Sequence, residues 1–282
     1  MTLFKEIDSA VQTLIREATR KIILPAFYEQ IADSMIRIKT DHSIVTQIDY
    51  DVQAFLQKEL QALLPQSGFL GEEESDYIAP LEENGDWLWI IDPIDGTHNF
   101  AAQNTDFGTM IALWHLPSHQ PVYGWIYMPI SDQMFSGGQG EGVFCNGIPV
   151  NFQTALQKKL KEMTGLLNYG SFGTARETMQ QNSRHFQTID PSSCAACKFV
   201  ALLQDKADFA VFGRAKIWDL SAGVALLQEL GGKSARVGAG NSQECHGLSL
   251  MNTKSYAGWL LIARHKEDWA AVRQQLFENI NC

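Results

Sequence analysis

The chain has 282 residues, enough to bury a substantial core without disulfides or a structural metal. Lys plus Arg total 22 against 32 Asp plus Glu, a formal net charge of −10 that argues against a protein built to grip a nucleic-acid backbone. The five cysteines (Cys145, Cys194, Cys197, Cys245, Cys282) are irregularly spaced, which suits a reducing, cytoplasmic setting better than a disulfide framework, and no apolar run approaches the roughly eighteen residues a membrane helix needs.

The first residues carry Lys5, Glu6, Asp8, Arg16 and Glu17 among the apolar ones, so they read as an ordinary helix rather than a signal segment. Ile7, Val11, Leu14, Ile15, Ala18 and Ile22 recur at helical spacing, and Val52, Phe55, Leu56, Leu60 and Leu63 mark a second amphipathic helix. Thr46 with Asp49 three residues on has the form of a capping box at its start, and the segment from Pro65 to Gly68 ends it. An acidic segment, Gly71-Glu72-Glu73-Glu74, follows. Trp87-Leu88-Trp89-Ile90-Ile91 is then apolar throughout, as in a strand buried on both faces. Further strands are predicted at Phe107 to Trp114, Val122 to Met128 and Gln133 to Phe135.

From about residue 163 the elements alternate. Leu166-Leu167, Phe209 to Phe212, Leu248 to Met251 and Leu260 to Ile262 read as strands; Ala195 to Leu203 and Leu220 to Leu230 read as helices, the latter stopped by Gly231-Gly232. The expectation is an α/β layered fold in a single domain over residues 1–282, with a soft division near 150–160.

Chemistry concentrates at Asp92-Pro93-Ile94-Asp95-Gly96-Thr97, directly after the buried strand, at the strand end where open α/β sheets place ligands. Pro93 stiffens the turn between the two acids and Gly96 permits close backbone approach. Two carboxylates held this close repel unless a cation lies between them. With oxygen donors and no Cys/His set nearby, Mg²⁺ fits better than Zn²⁺, and Glu72 is available to complete the site. The chemistry that follows is phosphoryl transfer to water. Taken singly, Asp-Pro and Asp-Gly are turn residues and the Glu run a solvated surface; their conjunction after a buried aromatic strand points to a site.

Three separated blocks, Gly71-Glu72-Glu73, Trp89 to Phe100 and Trp218-Asp219-Leu220-Ser221-Ala222-Gly223, together with Val45-Thr46 and Asp49, resemble the inositol monophosphatase family within the lithium-sensitive, magnesium-dependent phosphatase superfamily. The resemblance implies an αβαβα sandwich, commonly a homodimer, and a phosphoric monoester hydrolase acting by in-line attack of a metal-activated water. It implies two or three Mg²⁺ ions: one on Glu72, Asp92 and the Ile94 carbonyl, a second on Asp92, Asp95 and Asp219, and a looser third assisted by Glu72. Thr97 and Asp49 orient the water, with Glu72, and the substrate side falls to Asp95, Gly96, Thr97, Ala195, Phe212, Arg214 and Asp219. Without the resemblance, Asp219 reads only as an acid in the first turn of a helix.

Several positions depart from the family pattern. His98 stands where a second Thr is usual, Ser43 where Asp is frequent, Lys39 matches a basic position approximately, and Ser193-Cys194-Ala195-Ala196 replaces a segment that usually begins with Gly. Seven residues before Asp219, where inositol phosphatases carry an acid for the sugar hydroxyls, this chain has Phe212, followed by Gly213-Arg214-Ala215-Lys216. Arg214 and Lys216 suit a second anionic group, so a 3′(2′),5′-bisphosphate nucleotidase or a fructose-1,6-bisphosphatase-like activity stands beside hydrolysis of an inositol, sugar or histidinol phosphate. A reading of another class, association with transcription machinery, follows from reports on bacterial relatives. Cys194-Ala195-Ala196-Cys197 has redox spacing but reads as one turn of a buried helix, and the glycines from Gly137 to Gly142 read as hairpin turns.

Overall fold

The computed structural model describes residues 3–29, 36–38, 44–73, 85–152, 158–189, 194–213, 215–237 and 258–280. Helix α1 (Leu3–Ala18) runs through a π turn at Thr19–Ile23 into α2 (Leu24–Glu29), and a short antiparallel pair, β1 (Ile36–Ile38) and β2 (Ile44–Thr46), leads into α3 (Gln47–Leu63). Ile7, Val11, Ile15 and Ala18 on α1 and Val52, Leu56 and Leu60 on α3 are buried, as the helical spacing predicts. Each of the larger side chains among them, Val, Leu or Ile, contributes roughly 1.5–3 kcal/mol on leaving water.

The next strands form one sheet. β3 (Gly68–Gly71) pairs in parallel with β4 (Trp87–Asp95); β5 (Gly108–His115), β6 (Gln120–Met128), β7 (Gln133–Gly138), β8 (Gly142–Cys145) and β9 (Ile148–Pro149) continue it antiparallel, in that spatial order, after α4 (Thr97–Ala101) has turned the chain. Both faces of β4 are covered. Trp89 and Ile91 pack with α1 and α3, whereas Leu88 and Ile90 face the opposite way, which is why the run reads as apolar throughout. The glycines between β7 and β8 are the hairpin expected, with Gly138 opposite Gly142.

The remaining strands and α-helices are β10 (Thr164–Leu167), α5 (Arg176–Asn182), β11 (Gln187–Ile189), α6 (Ala195–Leu203), β12 (Phe209–Gly213), α7 (Ile217–Glu229), β13 (Lys233–Val237), β14 (Trp259–Ala263) and α8 (Lys266–Leu276). Their strands make a second sheet in the order β11-β10-β12-β14-β13. Helices α6 and α7 share one apolar core with Leu88 and Met110 of the first sheet and with Ala210 and Ile262 of the second, so they lie between the sheets. On the far side of the second sheet, Met179 of α5 and Trp269, Val272 and Leu276 of α8 cover Phe209, Val211 and Leu261. The layers therefore run αβαβα.

Two contacts seat α7 closely. A Cβ on Gly124 of β6 would stand 2.3 Å from the Ala222 carbonyl oxygen, and one on Gly223 would stand 2.1 Å from the Phe199 ring, so backbone meets backbone on one side of the helix and an aromatic face on the other. The strand expected at Leu248 to Met251 lies outside the described residues, and the helix expected from Leu220 begins three residues earlier, at Ile217. Among the described residues no helix is long and apolar enough to cross a membrane.

Candidate metal centre

The acids converge where β3 and β4 end. The pairing of β4 with β5 slips between Asp92 (opposite Met110) and Asp95 (opposite Gly108), so three steps on one strand face two on the other. Pro93, which has no N–H to give the ladder, sits in this bulge, its carbonyl taking the Thr109 hydroxyl at 2.9 Å. Gly96 then turns the chain into α4 with φ of +87°. A Cβ there would meet Cys194 Cβ at 2.9 Å and the Asp106 carbonyl at 3.0 Å, so both the conformation and the space call for glycine.

Glu72 is placed by the backbone on either side of it. Its N–H donates to Ile91 O at 3.1 Å, extending the parallel pairing one residue past β3. Gln53, on the buried face of α3, then grips the following residue: Glu73 N donates to Gln53 Oε1 at 2.9 Å, and Gln53 Nε2 donates to Glu73 O. Gly71 leaves room for that amide, since a Cβ would fall 2.2 Å from Gln53 Oε1. The residue patterns did not single out Gln53; its only signal is a polar side chain on the same helix face as Val52 and Leu56.

Asp219 arrives from the other side, in the first turn of α7, where its carboxylate accepts the Lys216 N–H at 2.7 Å. Oxygens of Glu72, Asp92 and Asp219 lie within 4.8 Å of one another. Asp92 is buried, and its Oδ1 has no hydrogen-bond partner among the described residues. Burial first, then the charges of Glu72, Asp95 and Asp219, push the Asp92 carboxyl well above the usual range. The same causes, burial and then Glu72 and Asp95, raise Asp219. A buried carboxylate oxygen among like charges, with no hydrogen-bond partner among the described residues, is the kind of donor a hard divalent cation takes, so the donor set fits a metal of that kind.

Asp95 faces elsewhere. Its two carboxylate oxygens accept the N–H groups of Ala195 at 3.2 Å and Ala196 at 2.5 Å, at the start of α6, and it stands outside the three-acid group. Burial raises its carboxyl to about 6 against those bonds. Asp49 is likewise raised to about 6, burial outweighing the hydrogen bonds it accepts. Its Oδ2 takes the Thr46 N–H at 2.8 Å and the Thr46 hydroxyl at 2.6 Å, while Oδ1 faces Thr97 Oγ1 at 3.0 Å. Thr97 Oγ1 is also 3.0 Å from the Ile94 carbonyl, so the segment 94–97 and the start of α3 are tied at one hydroxyl.

The expected substrate side is divided. Gly96 and Thr97 flank the acids, and Ala195 is bonded to Asp95. Phe212 is a buried core side chain, stacked on Phe199 at 5.0 Å, and the Lys198 ammonium lies 4.8 Å from its ring centroid. Lys198 is itself buried, a cation that the residue patterns did not single out. His98 is exposed on α4. Arg214, Ser193, Ser43 and Lys39 lie outside the described residues.

The chain is similar to known proteins over most of its length. The fructose-1,6-bisphosphatase/inositol-1-monophosphatase of Thermotoga maritima is 30% identical over 191 residues, covering 67% of this chain and 70% of that one. The 3′(2′),5′-bisphosphate nucleotidase CysQ of Aggregatibacter actinomycetemcomitans is 30% identical over 215 residues, covering 74% and 77%. The extragenic suppressor protein suhB of Bartonella henselae superposes with a TM-score of 0.76 at 23% identity over 99% of both chains, a likeness of fold. The model of the inositol monophosphatase family matches residues 4–276, and the chain belongs to that family of phosphoric monoester hydrolases.

Proposed function

We propose that the protein hydrolyses a small phosphate monoester with Mg²⁺ held by Glu72, Asp92 and Asp219, joined by Asp95 and the Ile94 carbonyl. The observation that carries this reading is the buried Asp92 Oδ1, without a hydrogen-bond partner among the described residues, in the group of acids whose oxygens lie within 4.8 Å. When bound, the ions neutralise the acids, draw in phosphate oxygens and acidify a water. The protein's own part is positional. Thr97 Oγ1, between Asp49 Oδ1 and Ile94 O, is suited to orient the attacking water, and Asp49 to take up its proton through that hydroxyl. The Gly96 and Thr97 backbone lies beside the acids to receive phosphate oxygens.

The two 30% identical relatives carry names that include both monophosphate and bisphosphate substrates. One observation favours an additional anionic group on the substrate here. The position that carries an acid for sugar hydroxyls in inositol phosphatases is Phe212, with the Lys198 ammonium over its ring, so the local chemistry is cationic and apolar. Purified protein with Mg²⁺, with and without Li⁺, tested on inositol monophosphate, histidinol phosphate, fructose 1,6-bisphosphate and 3′-phosphoadenosine 5′-phosphate separates the readings. Phosphate release from none of them counts against hydrolysis. For the bisphosphate preference, Lys198→Met has to lower kcat/KM for bisphosphates more than for monophosphates; equal losses remove it.

A further inference from the structure

Cys194 and Cys197 have no part in the hydrolysis, yet they stand at its edge. Cys194 is the extended residue immediately before α6 (φ −63°, ψ 171°), and Cys197 follows in the first turn. Both are free thiols. The Cys194 thiol contacts the Cys197 thiol and also donates toward the Asp95 carboxylate. Its Cβ is packed against the turn after Asp95, where a Cβ on Gly96 would lie 2.9 Å away. Cys197 reaches the other way, into a surface pocket of about 280 Å³ shared with Thr105, Asp106, Met128 and Lys206. One sulfur therefore touches the acid site while its neighbour lines a pocket open to solvent.

We propose that Cys194 and Cys197 form a reversible disulfide on exposure to a peroxide, and that closing this bond disturbs Asp95 and lowers hydrolysis. The sulfur of Cys197, deprotonated, attacks one peroxide oxygen; the O–O bond breaks, the departing oxygen leaves as water, and Cys197 becomes a sulfenic acid. The Cys194 sulfur then displaces the sulfenic hydroxyl, its proton leaving with that oxygen as a second water. Two thiols lose two electrons and two protons, and the peroxide is reduced to two waters. A dithiol reverses the bond by exchange.

The coupling to Asp95 is geometric. A disulfide fixes its two Cβ atoms at about 3.5–4.5 Å, and it would join Cys194, in extended backbone ahead of α6, to Cys197 in its first turn. The residues enclosed by the new bond are Ala195 and Ala196, whose N–H groups hold Asp95, so fixing both ends of this segment constrains both donors. The Cys194 thiol proton, a third donor to Asp95, is lost at the same time.

The test uses the full-length protein treated with hydrogen peroxide and then with iodoacetamide. Tryptic peptide 185–198 contains these two cysteines and no other. It is expected to resist alkylation, weigh two hydrogens less, and regain both alkylation sites after dithiothreitol. Mg²⁺-dependent hydrolysis is expected to fall roughly 10–100-fold, the scale for losing a group that orients a metal ligand, and to recover with dithiothreitol. Cys197→Ser, or Cys197→Ala if the first folds poorly, keeps its basal activity and resists peroxide. Full alkylation of the treated peptide overturns the proposal, as does an equal peroxide loss in the Cys197 variants or a disulfide that leaves activity unchanged. The activity arm rests on the hydrolase reading, whereas the peptide measurement does not, so the two failures are distinguishable.

Discussion

Thr97 Oγ1 lies 3.0 Å from Asp49 Oδ1, joining the turn after β4 to the first turn of α3 across forty-eight residues of chain. The bond gives one carboxylate two duties, since the other Asp49 oxygen takes the Thr46 N–H and hydroxyl. Thr97→Ala removes only the site-facing partner. It is expected to lower kcat by about 10²–10⁴, the range for a positioned proton-transfer group, with thermal stability close to that of the parent. Asp49→Ala should lower kcat and, in addition, cost about 1 kcal/mol of stability through the lost helix cap. Steady-state kinetics with thermal melts separate the two; equal stability losses would tell against this division of roles.

Metal and pH are expected to act on neighbouring acids. Asp49 and Asp95 have carboxyls raised to about 6 in the folded protein, from an ordinary value near 3.8. A raised acid contributes stability that is complete below its unfolded value and is lost as pH rises through the folded one. Without divalent cation, this contribution is therefore lost on going from about pH 4 to 7. On the reading proposed above, Mg²⁺ binds Asp95 and the acids beside it in their ionised forms, so the rise in Tm on adding Mg²⁺ is expected to be larger at pH 7.5 than at pH 5. Calorimetry at both pH values, with Mg²⁺ and with EDTA, reads that difference directly.

Gly96 is constrained by both φ and space. Gly96→Ala puts a Cβ 2.9 Å from Cys194 Cβ and 3.0 Å from the Asp106 carbonyl, in a left-handed conformation. A loss of about 1–3 kcal/mol is expected from the backbone alone, with a fall in kcat as the Asp95 to Thr97 turn shifts. Gly140 is the control: its φ is +77° but no atom lies within 4 Å of its added Cβ, so Gly140→Ala should cost less.

Gln53 is predicted to act through Glu72. Gln53→Leu leaves the buried N–H and C=O of Glu73 without their amide partner, for about 1–3 kcal/mol. The informative readout is the Mg²⁺ concentration giving half-maximal activity, which should rise as Glu72 loses its fixed backbone. A variant that is destabilised but has an unchanged Mg²⁺ requirement would make Gln53 a purely structural residue.

Much of this site is legible in the residues themselves. An apolar run from Trp87 to Ile91 can hardly be anything but a strand covered on both faces, and acids at its end have to be reconciled with one another. Asp219 becomes a site residue only through resemblance, because a lone acid at a helix start has a sufficient local explanation in the helix dipole. The orientation of Asp95 is not legible, since it depends on where α6 begins in space, a hundred residues later. The edge strand β11 leaves no pattern in the sequence, because Gln187, Thr188 and Ile189 are all exposed and carry no burial alternation. Helix α8 carries Trp269, Val272 and Leu276 at helical spacing within a polar sequence, a stripe too narrow to stand out.

The seating of α7 on Gly124 has a consequence for how such an enzyme can diversify. Glu72 and Asp92 belong to the first sheet, and the helix that brings Asp219 rests its backbone on that same sheet. The three acids are therefore tied to one sheet, two through its strands and the third through the helix seated on it. Phe212 lies on the central strand of the other sheet, so on the reading proposed above the accepted ester can change there while the three acids keep their places.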